Sequence, residues 1–317
     1  MYYRHKALLK QNFIVHLLQS IHKPLLITLL LLVALRGYTQ NSDTATTSYF
    51  KTQLGYLSNS IYDGRKDSLA TPYITTSIGY FNKKGFYINT TLYYLAASYA
   101  SRIDNTDVEL GYNFTINKKL SGSISTNKTF YNTNSIAVNS DIKGSINSDI
   151  TYDASLLTLE VSDGILFSSA NPDYYFTGNI SHLFNWGTDD ALWSITPSFI
   201  ANLSTRNSFE SYLRFRQTKN GKTKRQVVDI QDIQLNDPKK LQLLSYEIAI
   251  PFNFESKKWG FFITPSYSLA QNAASITTTS TIIRIINGVR TIQHTTKKTT
   301  ETIGNNFYAE LGVYIKL

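Results

Sequence analysis

The chain ends on NNFYAELGVYIKL, where every second residue from Phe307 is apolar: Phe307, Ala309, Leu311, Val313, Ile315 and Leu317. The residues between them, Tyr308, Glu310, Gly312, Tyr314 and Lys316, are mostly polar. Successive side chains in a strand point to opposite faces, so this is a strand with one oily and one wet side. The pattern recurs along the chain. Val108, Leu110, Tyr112, Phe114 and Ile116 alternate with Asp107, Glu109, Gly111, Asn113 and Thr115. Phe86 to Tyr94, Tyr246 to Phe254 and Trp259 to Leu269 repeat it. Each segment is about ten residues long, which suits a tilted strand crossing a bilayer.

Segments of this kind give about twelve strands, at 47–58, 71–81, 85–98, 105–116, 119–131, 142–152, 155–167, 173–184, 191–205, 241–254, 259–270 and 304–317. An even number brings the chain back to the side where it began. Short connections (FNKKGF at 81–86, INKKLSG at 116–122, NWGTDDALW at 185–193, FESKKWG at 254–260) alternate with longer polar stretches at 58–71, 99–105, 128–149, 168–173, 204–240 and 271–303. A membrane-spanning up-and-down barrel has short turns on one side and long loops on the other. Pairing is least specified over 128–152, where Ser and Asn fill both faces. Two long stretches carry Asn-Gly between β-rich arms: 206–235 around Asn220-Gly221 and 276–300 around Asn287-Gly288. Asn-Gly in that setting predicts a hairpin, so two long external ribbons are expected.

The first forty residues differ in kind. Arg4, Lys6, Lys10 and Lys23 precede an apolar run from Leu25 to Leu35, with small residues at Gly37 and Thr39. The run is too short for a comfortable membrane helix and reads as a secretory signal peptide, cleaved before Gln40. An N-terminal membrane anchor is the alternative. Residues 1–39 are therefore set apart, and 40–317 are expected to form one exported barrel. The chain has no cysteine, which removes disulfides, thiol nucleophiles and cysteine metal sites. Its 22 tyrosines, with dense Thr, Ser and Asn, suit strands whose faces meet different solvents.

A closing strand with this alternation resembles the C-terminal strand of Gram-negative outer-membrane β-barrel proteins. Leu317 stands where that class usually ends on an aromatic residue. The resemblance implies an all-β, transmembrane, up-and-down antiparallel barrel in the cell outer membrane. It also implies that 305–317 closes the barrel and is the segment that the barrel-assembly machinery recognises. An exported soluble β-sandwich or adhesin would share the alternation. Against it stand the alternating loop lengths and the aromatic residues flanking the short turns. Phe81, Phe86, Phe114, Trp186, Trp193, Phe254 and Trp259 are expected to form an interfacial aromatic girdle.

Strand phase places Glu109, Glu160, Glu247 and Glu310, with Lys51 and Lys316, on the lumen side. Charges there either line a water-filled pore or pair across a packed interior. Twelve strands lie between the side-chain-filled and wide-channel extremes, and lumen Tyr87, Tyr93, Tyr308, Tyr314 and Phe262 favour a narrow or occluded bore. The ribbons carry Arg206, Arg214, Arg216, Lys219, Lys222, Lys224, Arg225, Arg284, Arg290, Lys297 and Lys298. Outside an outer membrane, the nearest polyanion is lipopolysaccharide phosphate rather than nucleic acid. Only His182 and His294 follow the N-terminal segment; Ser181 beside His182 points to the opposite strand face, so no catalytic pair is expected. No phosphate-binding loop or metal-ligand spacing occurs, and no cofactor is expected. Asp189-Asp190 reads as turn chemistry. The sequence therefore points to a narrow porin-like channel for small polar solutes or ions. The alternatives are a non-conducting structural barrel whose basic hairpins contact lipopolysaccharide or a partner and, more remotely, a lipid-modifying enzyme. Nothing in the sequence fixes an oligomeric state.

Overall fold

The computed structural model of the chain describes residues 47–317 except 67–68, 170, 189, 211–212, 214–226 and 287–288. The segment read as a signal peptide lies outside the described residues, as do Asn220-Gly221 and Asn287-Gly288. In chain order the strands are β1 (Tyr49–Leu57), β2 (Ile61–Tyr62), β3 (Arg65–Lys66), β4 (Tyr73–Phe81), β5 (Phe86–Ala97), β6 (Ala100–Asn117), β7 (Leu120–Tyr131), β8 (Gly144–Asp153), β9 (Thr158–Phe167), β10 (Asp173–Ser181), β11 (Phe184–Thr188), β12 (Ala191–Ile195), β13 (Ser198–Ser204), β14 (Val227–Leu235), β15 (Gln242–Ala249), β16 (Phe252–Glu255), β17 (Trp259–Ala270), β18 (Ser275–Ile286), β19 (Val289–Thr300) and β20 (Asn306–Lys316).

Twelve of them, β1, β4 to β10, β13, β15, β17 and β20, pair antiparallel in that order, and β20 lies between β17 and β1. The ring is therefore a closed up-and-down barrel. Lys51 faces Lys316 across the β1–β20 seam, and Trp259 faces Ile315 across β17–β20. Strands β11, β12 and β16 continue β10, β13 and β15 after short breaks. Pro197 and Pro251 cause two of these, because neither has an N–H for the ladder. Their carbonyls still accept, from His182 N–H at 3.2 Å and Thr196 N–H at 2.9 Å.

Alternation sets the two faces. On β20, Phe307, Leu311, Val313 and Ile315 are exposed, while Asn306 and Gly312 are buried. Phe50 and Leu54 on β1, Ile74 and Ile78 on β4, and Leu159 and Val161 on β9 continue the outward apolar band. Isolated apolar residues on a surface are ordinary, but a band around a closed barrel is not stable in water and requires lipid. Closure leaves no unpaired edge to face that lipid.

Two expectations about the loops need correction, and the bounds of a third are narrowed. Residues 99–105 are not a loop. β5 turns tightly into β6 at Ser98-Tyr99, and the polar run is strand, with a register shift where Tyr93 and Tyr94 meet Asn105 and Ile103. That bulge turns Asp104 inward, where buried partners satisfy it, so the polarity does not mark solvent. Within the polar stretch 128–149 the loop is confined to 132–143, in keeping with the strands expected at 119–131 and 142–152, and Thr129 N–H bonds Lys143 O at 3.0 Å where the pairing ends. The 206–235 stretch does not fold back on itself as a ribbon among the described residues. Its start, 207–210, is helical, and its end, β14, pairs with β18. Asp173 explains the helical start: it accepts the N–H groups of Asn207 and Ser208, each at 2.7 Å. The second ribbon does form, as β18 against β19 from Ser275↔Thr300 to Ile286↔Val289. β14, β18 and β19 make a separate three-stranded external sheet.

Burial is uneven along the barrel. Leu95, Leu244, Asp104, Asp173, Ser204, Ser245 and Ser268 are nearly or fully inaccessible, and all lie near the long-loop end. In a transmembrane barrel that end is extracellular. The interior is therefore packed near its outer mouth.

Candidate functional site

The lumen wall is built by the inward set of each strand. Glu109 on β6 accepts the Tyr87 hydroxyl at 2.7 Å. Glu160 on β9 accepts from Asn179 Nδ2 at 3.4 Å. Glu247 on β15 is hydrogen-bonded by Tyr308. Glu310 on β20 and Lys51 on β1 share a small cavity of about 180 Å³ with Tyr93. Lys51 Nζ lies 4.3 Å from the Tyr314 ring centre, and Lys316 pairs with Glu255 at the short-turn rim. Lys51, Glu109, Glu160, Glu247, Glu310 and Lys316 are each half-buried on their strands.

Two lumen acids were not singled out from sequence. Asp107 accepts Thr129 Oγ1 at 2.6 Å, and Asp149 accepts Ser123 Oγ at 2.8 Å. Asp107 was legible, since it shares the phase of Glu109. Asp149 falls in the segment whose register the sequence specifies least. Asp107, Glu109, Asp149 and Glu160 form an acidic wall on β6, β8 and β9. None of the four is ion-paired among the described residues. The lumen lysines lie across the bore, on β1 and β20. A cavity of about 600 Å³ opens below the acids at the short-turn end, between Asp149, Glu160, Tyr49 and Phe81.

Inward-folded segments pack into the outer end. Ile61-Tyr62 and Arg65-Lys66 form a two-rung hairpin around Asp63-Gly64, both at positive φ (49° and 77°). Asp-Gly at such a turn is a strong hairpin signal, and it was readable in the sequence. Gly64 presses on the inner wall: a Cβ there would lie 2.9 Å from Ala270 Cα and 3.0 Å from Ser245 Cβ. Asn306 Nδ2 on β20 donates to Gly64 O at 2.8 Å. A second node is Asp104, fully buried. It takes Tyr73 Oη and Ser135 Oγ at 2.7 Å each and Arg102 Nη2 at 2.8 Å, tying the 132–143 loop to β4 and β6.

The aromatic girdle is mostly outward. Phe86, Trp186 and Trp259 are exposed, and Trp193 packs on Phe254 with centroids 4.6 Å apart. Tyr112, Phe252 and Phe261 extend the group. Phe81 is a correction. It shares the inward phase of Ser77 and Gly79, and it stacks between Tyr49 at 5.1 Å and Tyr87 at 5.6 Å inside the barrel. Of the basic ribbon, Arg214, Arg216, Lys219, Lys222, Lys224 and Arg225 lie outside the described residues. Arg284 and Arg290 belong to β18 and β19. Arg206 does not belong to an exposed ribbon at all: it is buried, donating to Asn272 O at 2.9 Å. His182 stacks edge-on against Phe184 and bonds Leu156 O, while Ser181 is turned inward. His294 bonds Thr281 in the external sheet.

No family model matches the chain, and no curated protein sequence matches it. Among solved structures it is similar to a KdgM porin, at 10% identity over 84% of this chain and 99% of that one, with a TM-score of 0.42. A NanC porin gives 10% identity over 84% and 100%, with a TM-score of 0.41. A bacterial polysaccharide outer membrane secretin gives 10% identity over 87% and 100%, with a TM-score of 0.36. Likeness at this level carries no functional argument, and the transmembrane barrel stands on its own closed registers and apolar outer band.

Proposed function

We propose that the chain is an outer-membrane channel passing small cations through a narrow lumen. The observation that carries this reading is the acidic wall of Asp107, Glu109, Asp149 and Glu160, hydrogen-bonded but without an ion pair among the described residues. The lysines opposite are partly engaged: Lys316 by Glu255, and Lys51 by the face of Tyr314. Unpaired carboxylates in a water-filled bore raise the local concentration of cations and reject anions. Reversal potential in a KCl gradient tests it. The wild type should favour potassium, and Asp149→Asn with Glu160→Gln should weaken that preference severalfold. Unchanged selectivity in the double variant would sink the assignment.

A second reading has its own support in the packed outer mouth. Here the barrel is a non-conducting scaffold, and the external sheet is its working surface. Lys297 and Lys298 are exposed on β19, and lipopolysaccharide phosphate is the anion they would meet. Lys297→Gln with Lys298→Gln should then release lipopolysaccharide that co-purifies with the protein. On either reading β20 is the segment offered to the barrel-assembly machinery.

A further inference from the structure

We infer that the hairpin Ile61–Lys66 is a gate, latched shut by Arg65 on the base of the external ribbon; the inference rests on the channel reading. Arg65 is 6% exposed. Its Nε donates to Glu301 Oε1 at 2.8 Å and its Nη2 to Glu301 Oε2 at 3.1 Å, a two-point grip. Nη2 also reaches Asn272 O at 3.3 Å, and Nη1 holds the hairpin's own Asp63 O at 2.9 Å. Glu301 follows β19 directly, and Asn272 stands just before β18. One guanidinium therefore joins the hairpin to both legs of the ribbon. Glu301 in turn accepts Ala274 N–H at 2.9 Å, which fixes the receiving side.

The seat under the hairpin is polar and small. Ser245, Ala270 and Asn306 form it, and Gly64 lies against them. Ile61 and Tyr62 are half-buried and the Arg65 guanidinium lies 5.6 Å from the Phe209 ring centre, so packing assists, while the directional bonds fix where the hairpin docks. Two rungs are too few for a hairpin to persist without docking. Its stem is clasped separately: Asn59 Oδ1 accepts Thr71 N–H at 2.9 Å and Thr71 Oγ1 at 3.0 Å, and Ser60 N–H donates to Thr71 Oγ1 at 3.2 Å. The clasp lets the tip swing while the ends stay in place. Release of Arg65 frees the tip from the wall and opens the outer mouth.

The chain has no cysteine, so Ser245→Cys places a single thiol on the wall beneath Gly64. Its labelling by a membrane-impermeant maleimide, added to intact cells, reports whether the hairpin has lifted. In the Ser245→Cys background, Arg65→Gln and Glu301→Gln should each raise the labelling rate by at least about tenfold, because each leaves a buried charge unmatched. Gly64→Ala should do the same by collision with Ala270, without touching a charge. Lys66→Gln, at an exposed neighbour, should change nothing. Heat-modifiable migration shows which variants are folded. If no folded variant labels faster than the Ser245→Cys parent, the gate is overturned. Single-channel conductance of the same proteins separates the two proposals. Faster labelling with larger currents supports both, whereas faster labelling without current supports the gate and contradicts the channel.

Discussion

At the hairpin tip, Asp63 gives the outer mouth a pH response. Its carboxyl is pushed up to about 6, chiefly by burial; Arg65 and Arg206 pull it down, and Asp173 pushes it further up. Burial lowers the Arg206 guanidinium, and neighbouring Arg65 adds to that. An acid whose docked pKa lies above its free value binds its proton more tightly when docked. Docking is therefore strongest below the ordinary carboxyl range, weakens as pH rises through about 6, and changes no further above it. The expected outcome is a smaller open fraction at about pH 5 than at about pH 7.5. Asp63→Asn should flatten that dependence. A pore that closes as pH rises would contradict the assignment. The neighbouring glycine is fixed by both conformation and space, since its φ of 77° and its closeness to Ala270 exclude a side chain.

The barrel strands hold mostly polar groups inside and apolar groups outside, and many of the inward polar groups are hydrogen-bonded in sets, with Asn179 Oδ1 and Ser268 Oγ as exceptions among the described residues. Tyr87 lies over Gly111 on the next strand while bonding Glu109, so the missing side chain makes room for a ring that orients an acid. Asp104 does a similar job for β4, β6 and the 132–143 loop. Asp104→Ala would strand Arg102 and Tyr73, at a cost of about 3–5 kcal/mol. Hydrogen exchange should then rise in 132–143, with the midplane ladders unchanged; an unaffected loop would argue against the node. The strands themselves were legible because lipid on one side and water on the other impose a period of two. The 99–105 segment was misread because a polar run can be strand when a bulge turns its acid onto buried partners. Phe81 was misassigned by its nearness to a turn, although the phase of Ser77 and Gly79 places it inside. The helical start of 206–235 depends on Asp173, more than thirty residues away, and no local pattern announces it.

As a whole, the molecule is a ring of twelve strands, packed at its outer end and open at its inner end. Asp107, Glu109, Asp149 and Glu160 line one side of the bore, while the other side mixes Lys51 and Lys316 with Glu247 and Glu310, which biases the field across the path. Conduction of cations and closure by the hairpin are separate claims, and a bilayer recording addresses both. The most direct measurement compares wild type and Arg65→Gln, each purified from outer membranes and shown to be folded, in a planar bilayer under a KCl gradient. Discrete steps with a reversal potential favouring potassium, larger or more frequent in Arg65→Gln, are the predicted result. Silence from both folded proteins, or a reversal potential favouring chloride, would contradict the account.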